Sequence, residues 1–206
     1  MTVEKEKGMT GKETVESVNR NDIADGLRNL GLKAGDKIMV HSSLKSFGYV
    51  EGGAMAVCLA LQDVVTPEGT ILMPSFNHAS IFFRNGEPDF EVCFDPLRTP
   101  TTNGAIPETF RSMKGVHRSL NPTHPFAAWG KDAHSFVKNH HRVLTMGRGS
   151  PLEMLERAGG KGLLLGVDYR PNTFKHVVET TNNVPCLGFR TDEHNILLPD
   201  GRKVKG

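Results

Sequence analysis

His176 and Glu179 stand three residues apart in the run Asn172-Thr173-Phe174-Lys175-His176-Val177-Val178-Glu179. On a helix, positions i and i+3 share a face. A carboxylate beside an imidazole holds one tautomer and stabilises the imidazolium, which suits the histidine to act as a general base. The same spacing also describes an exposed helical His–Glu pair, and spacing alone does not choose between them. The second candidate is His41-Ser42-Ser43-Leu44, with Gly48, Gly52 and Gly53 downstream. It directly follows a predicted strand, and strand ends in α/β sheets are where ligands bind. Small hydroxyl residues there can offer O–H and N–H groups to a phosphate. A polar turn reads the same way.

Other chemistries find no support. The chain has no G-x-S-x-G elbow, no P-loop and no G-x-G-x-x-G fingerprint. Its nine histidines show no metal-ligand spacing with cysteines or carboxylates, so no metal is expected. Arg157-Ala158-Gly159-Gly160-Lys161-Gly162 reads R-x-x-G-x-G, which resembles the pyrophosphate loop of a large acetyltransferase superfamily. Here the order is helix, loop, strand, so no helix N-terminus faces an anion, and a helix C-cap is the expectation. The stretch Ser75–Thr102 is long, irregular and acidic, with Glu87, Asp89, Glu91 and Asp95. It reads either as a solvated loop or as a lip that attracts a cationic substrate.

The elements that must position these residues alternate. Ile23, Leu27 and Leu30 mark an amphipathic helix stopped at Gly31. Lys37–His41 reads as a strand, Ala54–Val65 as a helix broken at Pro67-Glu68-Gly69, and Thr70–Met73 as a buried strand. Helical signal returns at Ile106–Met113. Phe126–Trp129 suits a strand and Ala133–His140 a helix. Ser150-Pro151-Leu152-Glu153 opens another helix with a capping box. Leu163–Val167 is an apolar strand fit for the centre of a sheet. Asn172 caps a helix over Thr173–Glu179, and Asp200-Gly201 marks a hairpin turn. The first dozen residues or so, up to about residue 18, read as a flexible tail.

Composition sets the class. The chain has 206 residues, a net charge of +2, 37% hydrophobic and 23% charged residues. That fits one globular domain and gives no electrostatic case for nucleic acid. No apolar run reaches the roughly 18–20 residues of a membrane span. The polar N-terminus carries acids, unlike a signal or transit peptide. Cys58, Cys93 and Cys186 are odd in number and far apart, and read as free thiols in a reducing cytoplasm.

A series of ordered blocks runs along the sequence. The blocks begin with Gly31-Leu32-Lys33-Ala34-Gly35-Asp36 into Val40-His41-Ser42-Ser43-Leu44, then Gly52-Gly53-Ala54 and Pro67-Glu68-Gly69-Thr70. They continue with Phe94-Asp95-Pro96, Thr99-Pro100, Gly104, Pro107-Glu108 and Arg118-Ser119. Phe126-Ala127-Ala128-Trp129-Gly130, Gly149-Ser150-Pro151-Leu152, Leu164-Leu165-Gly166-Val167 and Asn172-Thr173 with His176 and Glu179 complete them. In these blocks the sequence resembles the aminoglycoside 3-N-acetyltransferase family, and the resemblance implies an α/β fold, a three-layer α/β/α sandwich around a mixed β-sheet. It implies acetyl-coenzyme A as co-substrate and acylation of the 3-amino group of a deoxystreptamine antibiotic by direct transfer. Ser42, Ser43 and Leu44 would line the pyrophosphate site, and Ser150 and the segment around Phe126 would flank the pantetheine. His176 would be the general base, with Glu179 an orienting or substrate-binding carboxylate.

The chain departs from the family's usual pattern. Asn121 stands where a histidine is common, Pro125 where a serine is, and His124 is out of register. Arg170-Pro171 replace an acid and a small residue, and an arginine near the acceptor would repel a polycation. Family chains also run on past this end, so the expectation is a domain lacking its C-terminal part and weaker in activity than a full-length relative. Two other readings remain: the same chemistry on another small amine, or a non-catalytic coenzyme A-binding remnant. The expected partner is a small-molecule amine, with a homodimer left open.

Overall fold

The computed structural model describes residues 17–77, 92–182, 184 and 193–206, together with the backbone of two short strands, Phe83–Arg84 and Glu87–Pro88. Cys186, the side chains of Glu87, Asp89 and Glu91, and residues 1–16 lie outside that set. Ser17–Val18, placed in the expected tail, form a strand (β1). The helix α1 (Arg20–Asn29) starts at Asn19, whose side chain accepts from the backbone of Asn21 and Asp22. Asp22 bonds back to the Asn19 N–H, closing a capping box. Ile23, Ala24 and Leu27 are buried, but Leu30 lies past the helix end and is 70% exposed.

The strand β2 (Lys37–Ser42) follows, then a tight turn over Leu44–Phe47, β3 (Tyr49–Val50) and α2 (Gly53–Val65). The strand β1 pairs in parallel with β3. After β4 (Thr70–Pro74), the strands at 83–84 and 87–88 (β5 and β6) form a hairpin, and Cys93–Phe94 make β7. Next come α3 (Ala105–Arg111), β8 (His117–Arg118), β9 (Phe126–Gly130) and α4 (Ala133–Val137). Then α5 (Pro151–Arg157), β10 (Lys161–Leu165), α6 (Phe174–Thr181), β11 (Asn195–Leu197) and β12 (Lys203–Lys205) complete the order.

The main sheet has the order β10-β2-β4-β9-β8. The strands β10, β2 and β4 run parallel, and β9 and β8 add antiparallel, so the sheet is mixed. Side chains alternate across a strand, and the burial follows that period. Ile38, Val40, Ile71, Met73 and Ala127 pack on α1, α2 and α3. Met39, Leu72, Phe126 and Ala128 pack on α4, α5 and α6. Two apolar faces need two helical covers, and the result is the three-layer α/β/α sandwich.

Three expectations change. The apolar strand begins at Lys161, ends at Leu165, and lies at one end of the described sheet rather than at its centre. It stops there because Gly166 has φ +67. The expected helix from Ala133 to His140 ends at Val137, and His140 starts a separate short turn. There its ring takes a hydrogen bond with Ser119 and another with the Thr145 carbonyl, both at 2.8 Å. The irregular stretch before Thr102 contains β7, which pairs in parallel with β11 about a hundred residues later. The β11–β12 hairpin forms as its turn signal predicts, and Gly206 exchanges backbone hydrogen bonds with His194.

The pyrophosphate-loop pattern is a helix end. The Gly159 N–H donates to Glu156 and the Gly160 N–H to Leu155, both backbone carbonyls. Among the described residues no helix is long and apolar enough to cross a membrane.

Candidate active site

The site forms where β2 and β10 end. Ser42 closes β2, and Ser43, Leu44 and Lys45 turn away from it. These residues and Gly48 make one wall of an open cavity of about 660 Å³. Thr102, Asn103, Gly104 and Ala105 make the other wall. The Ser42 hydroxyl is buried and has no hydrogen-bond partner. A buried orphaned hydroxyl is costly unless a ligand or water satisfies it. It therefore fits a phosphate-bearing ligand, with Lys45 lining the same wall.

The Ser43 wall is fixed from below. Its N–H donates to the Leu165 carbonyl at 2.9 Å. The Ser46 hydroxyl donates to the Gly166 carbonyl at 2.7 Å and lies 3.1 Å from the Ser43 hydroxyl. A Cβ on residue 166 would stand 2.4 Å from the Ser46 Cβ, and φ there is left-handed, so only glycine fits.

The opposite wall is held by a network absent from the sequence reading. The Asn103 carboxamide oxygen accepts from the Phe76 N–H at 2.6 Å, and the Phe76 carbonyl accepts from Thr101 and Thr102. The Arg118 guanidinium donates to the carbonyls of Ser75 (2.7 Å), Pro96 (3.3 Å) and Thr99, and to Asn77 (3.0 Å). It stands 5.0 Å above the Phe94 ring. Burial pulls its pKa down to about 9; nearby Arg111 adds to this, and Glu108 and Asp95 oppose it. It remains a cation at neutral pH. Burial pushes the Glu108 carboxyl up, but bonds from Arg111 and the Thr101 N–H outweigh that and hold it below its usual value. Asp95 accepts from the N–H groups of Leu97 and Arg98, so its carboxylate shapes its own turn.

On α6, His176 Nδ1 meets Glu179 Oε2 at 2.6 Å, with both side chains about one third exposed (34% each). A carboxylate only accepts, so Nδ1 carries a proton, and in the neutral ring Nε2 then keeps its lone pair. His124 lies near this pair. Burial and, secondarily, the neighbouring His176 push its pKa down. Its ring meets Phe76 edge-on at 5.0 Å, and Phe76 meets Phe126 edge-on at 5.2 Å. The histidine out of register in the sequence is thus brought to the site. Asn121 is turned into a local cap, accepting from the backbone of Thr123 and His124.

Two expected ligand contacts have no surface to offer. Phe126 is fully buried in the core below Phe76, and its N–H donates to the Ser119 hydroxyl. Ser150 is also fully buried. Its hydroxyl accepts from the Glu153 N–H at 3.3 Å, and the Glu153 carboxylate accepts from Gly149 rather than from Ser150, so the expected box closes one residue early. Ser42, Ser43 and Leu44 do line the cavity, and His176 and Glu179 do meet. Lys45, Thr102, Asn103 and Ala105 went unassigned in the sequence. Their one signal was proximity to quoted blocks at Leu44 and Gly104.

The Cys58 thiol lies elsewhere. Burial drives the Cys58 thiol up to about 12, and it sits in the core of α2.

Comparison with known proteins places this geometry. The aminoglycoside 3-N-acetyltransferase family model matches residues 39–205. The Bacillus subtilis SPbeta prophage-derived aminoglycoside N(3')-acetyltransferase-like protein YokD is 41% identical over 186 residues, which cover 82% of this chain and 68% of that protein. The solved structure of AAC-IIIb with CoASH is 31% identical, with a TM-score of 0.81 over 92% of this chain and 76% of its own. That of AAC-VIa bound to sisomicin is 28% identical, with a TM-score of 0.80 over 93% and 75%. With that extent of match in both sequence and fold, the chain belongs to the aminoglycoside 3-N-acetyltransferase family.

Proposed function

We infer that this acyltransferase moves the acetyl group of acetyl-coenzyme A to the 3-amino group of a deoxystreptamine aminoglycoside by direct transfer, with His176 as general base. The carrying observation is the His176–Glu179 contact of 2.6 Å, which leaves Nε2 able to take a proton. Relatives solved with CoASH and with sisomicin support the two ligand classes.

An ammonium has no lone pair until it loses a proton. His176 Nε2 removes it, and Glu179 stabilises the resulting imidazolium. The amine then attacks the thioester carbonyl, and a backbone N–H or hydroxyl at the site steadies the oxyanion. The Ser42 hydroxyl and Lys45 would hold the coenzyme's phosphates. Because Cys58 is a buried thiol, an acyl-cysteine route through it has no geometric support.

One observation favours a second acceptor class. In the loop between β10 and α6, Asp168 is neutralised by Arg170 at 2.6 Å, and Lys175, in the first turn of α6, adds another cation. A segment with that charge balance suits an amine of lower charge than a polycationic drug. Mixing the protein with acetyl-coenzyme A and a panel of deoxystreptamine drugs and simple amino sugars, and following thiol release, separates the readings. Release with the drugs, abolished in His176→Ala, supports the first. Release with amino sugars alone moves the acceptor to the second. Coenzyme binding without release leaves a non-catalytic binder.

A further inference from the structure

We propose that His41 is a positioning residue that sets the general base at its working distance from the coenzyme wall. It rests on the acetyl-transfer reading above. His41 is the penultimate residue of β2, immediately before the Ser42–Lys45 wall, and is only 5% exposed. Its Nε2 accepts from the Thr173 N–H at 3.3 Å and contacts the Thr173 hydroxyl at 3.2 Å. Thr173 is the residue that opens α6, itself 6% exposed, and its carbonyl accepts from the His176 N–H at 3.0 Å. One imidazole therefore joins the strand that ends in the coenzyme wall to the first turn of the helix that carries the base.

The contact answers a local need. The first N–H groups of a helix have no partner within it. No side-chain cap serves α6 from Thr173, and the Thr173 N–H is buried, so its acceptor must come from outside the helix. The His41 Nε2 lone pair is that acceptor, which places the ring proton on Nδ1. Burial supports the neutral form, holding the His41 pKa near 4. A protonated ring would set N–H against N–H and release the helix start. The neighbouring strand agrees with this role: His41 pairs with Leu164 in β10, so the ring is carried by two strands in fixed register.

The consequence is kinetic. A shift of the base by about 1 Å can cost on the order of a hundredfold in rate, while a pocket wall left in place keeps substrate binding. His41→Leu keeps the volume and removes the acceptor. His41→Gln restores an acceptor on a chain of similar reach. With acetyl-coenzyme A and sisomicin as probes, His41→Leu is expected to lower kcat at least about tenfold while KM for acetyl-coenzyme A stays within about threefold. His41→Gln is expected to recover kcat to within about threefold of the parent. Amide exchange over 173–181 is expected to quicken in His41→Leu while α2 stays protected. Parent-level kcat in His41→Leu, a loss carried by KM, or a glutamine variant no better than leucine would each overturn the proposal. If His41→Leu does not fold, Thr173→Val tests the hydroxyl contact, and an unchanged kcat there overturns it too. If the parent protein turns over no amine, the acetyl-transfer reading falls by itself. The tether then stands or falls on the exchange of 173–181, and unchanged exchange overturns it.

Discussion

The His176 ring is useful because of what Glu179 does to it. The carboxylate occupies Nδ1 at 2.6 Å, which would leave Nε2 of the neutral ring to take a proton in the proposed mechanism. Removing a positioned base costs roughly 10² to 10⁴ in rate. His176→Ala is therefore expected to lower kcat by that range in a thiol-release assay, and parent-level turnover would remove it from the mechanism. Glu179→Gln keeps a hydrogen-bond acceptor but loses the charge that stabilises the imidazolium. Its expected loss in kcat is smaller than that of His176→Ala, with the coenzyme KM little changed. A Glu179→Gln variant more impaired than His176→Ala would shift the base assignment.

At the scale of elements, two supports can be tested apart from the chemistry. The helix α5 depends on the Ser150 hydroxyl as its cap. Ser150→Ala is expected to cost about 1 kcal/mol in a urea unfolding curve, with little change in coenzyme KM. A large rise in KM with intact stability would instead return Ser150 to the ligand surface. Arg118 ties β8 to the end of β4 and to the loop before Thr102. Hydrogen bonds to a buried cation are worth about 1.5–3 kcal/mol each, and lysine cannot reproduce the planar fork. Arg118→Lys is expected to lower stability by about 2 kcal/mol and to raise the KM for acetyl-coenzyme A several-fold, since it loosens a cavity wall. Unchanged KM would separate Arg118 from the site.

For the whole molecule, buried histidines set the acid limb of stability. Burial lowers His41 and His140 to about 4 from an ordinary value of 6.5. As pH falls, the unfolded chain takes these protons first. The stabilisation is whole above about pH 6.5, declines between there and about pH 4, and changes no further below it. Each fully separated histidine adds a slope of up to about 1.4 kcal/mol per pH unit. Thermal unfolding between pH 7.5 and 4.5 is expected to show the midpoint dropping through that window, with a flatter slope in His140→Gln. A midpoint constant over the same range would contradict it.

Much of this molecule is determined by local pattern. The near-continuous apolar runs in Lys37–Ser42 and Thr70–Pro74 bury both faces of their strands, and two apolar faces require helices on both sides. The i, i+3 spacing of His176 and Glu179 fixes their meeting, because one helix turn joins them. Ser42, Ser43 and Leu44 were legible for a similar reason: they stand at and just past the end of a strand. Contacts between distant segments carry no such periodic mark. Tertiary structure alone pairs β7 with β11, puts the apolar β10 at one end of the described sheet, and sets Thr102–Ala105 across the cavity from Ser42. It also buries Phe126 and Ser150, which the resemblance had placed against a ligand. The His41–Thr173 contact spans 132 residues of sequence, and only the packing of α6 against the end of β2 makes it.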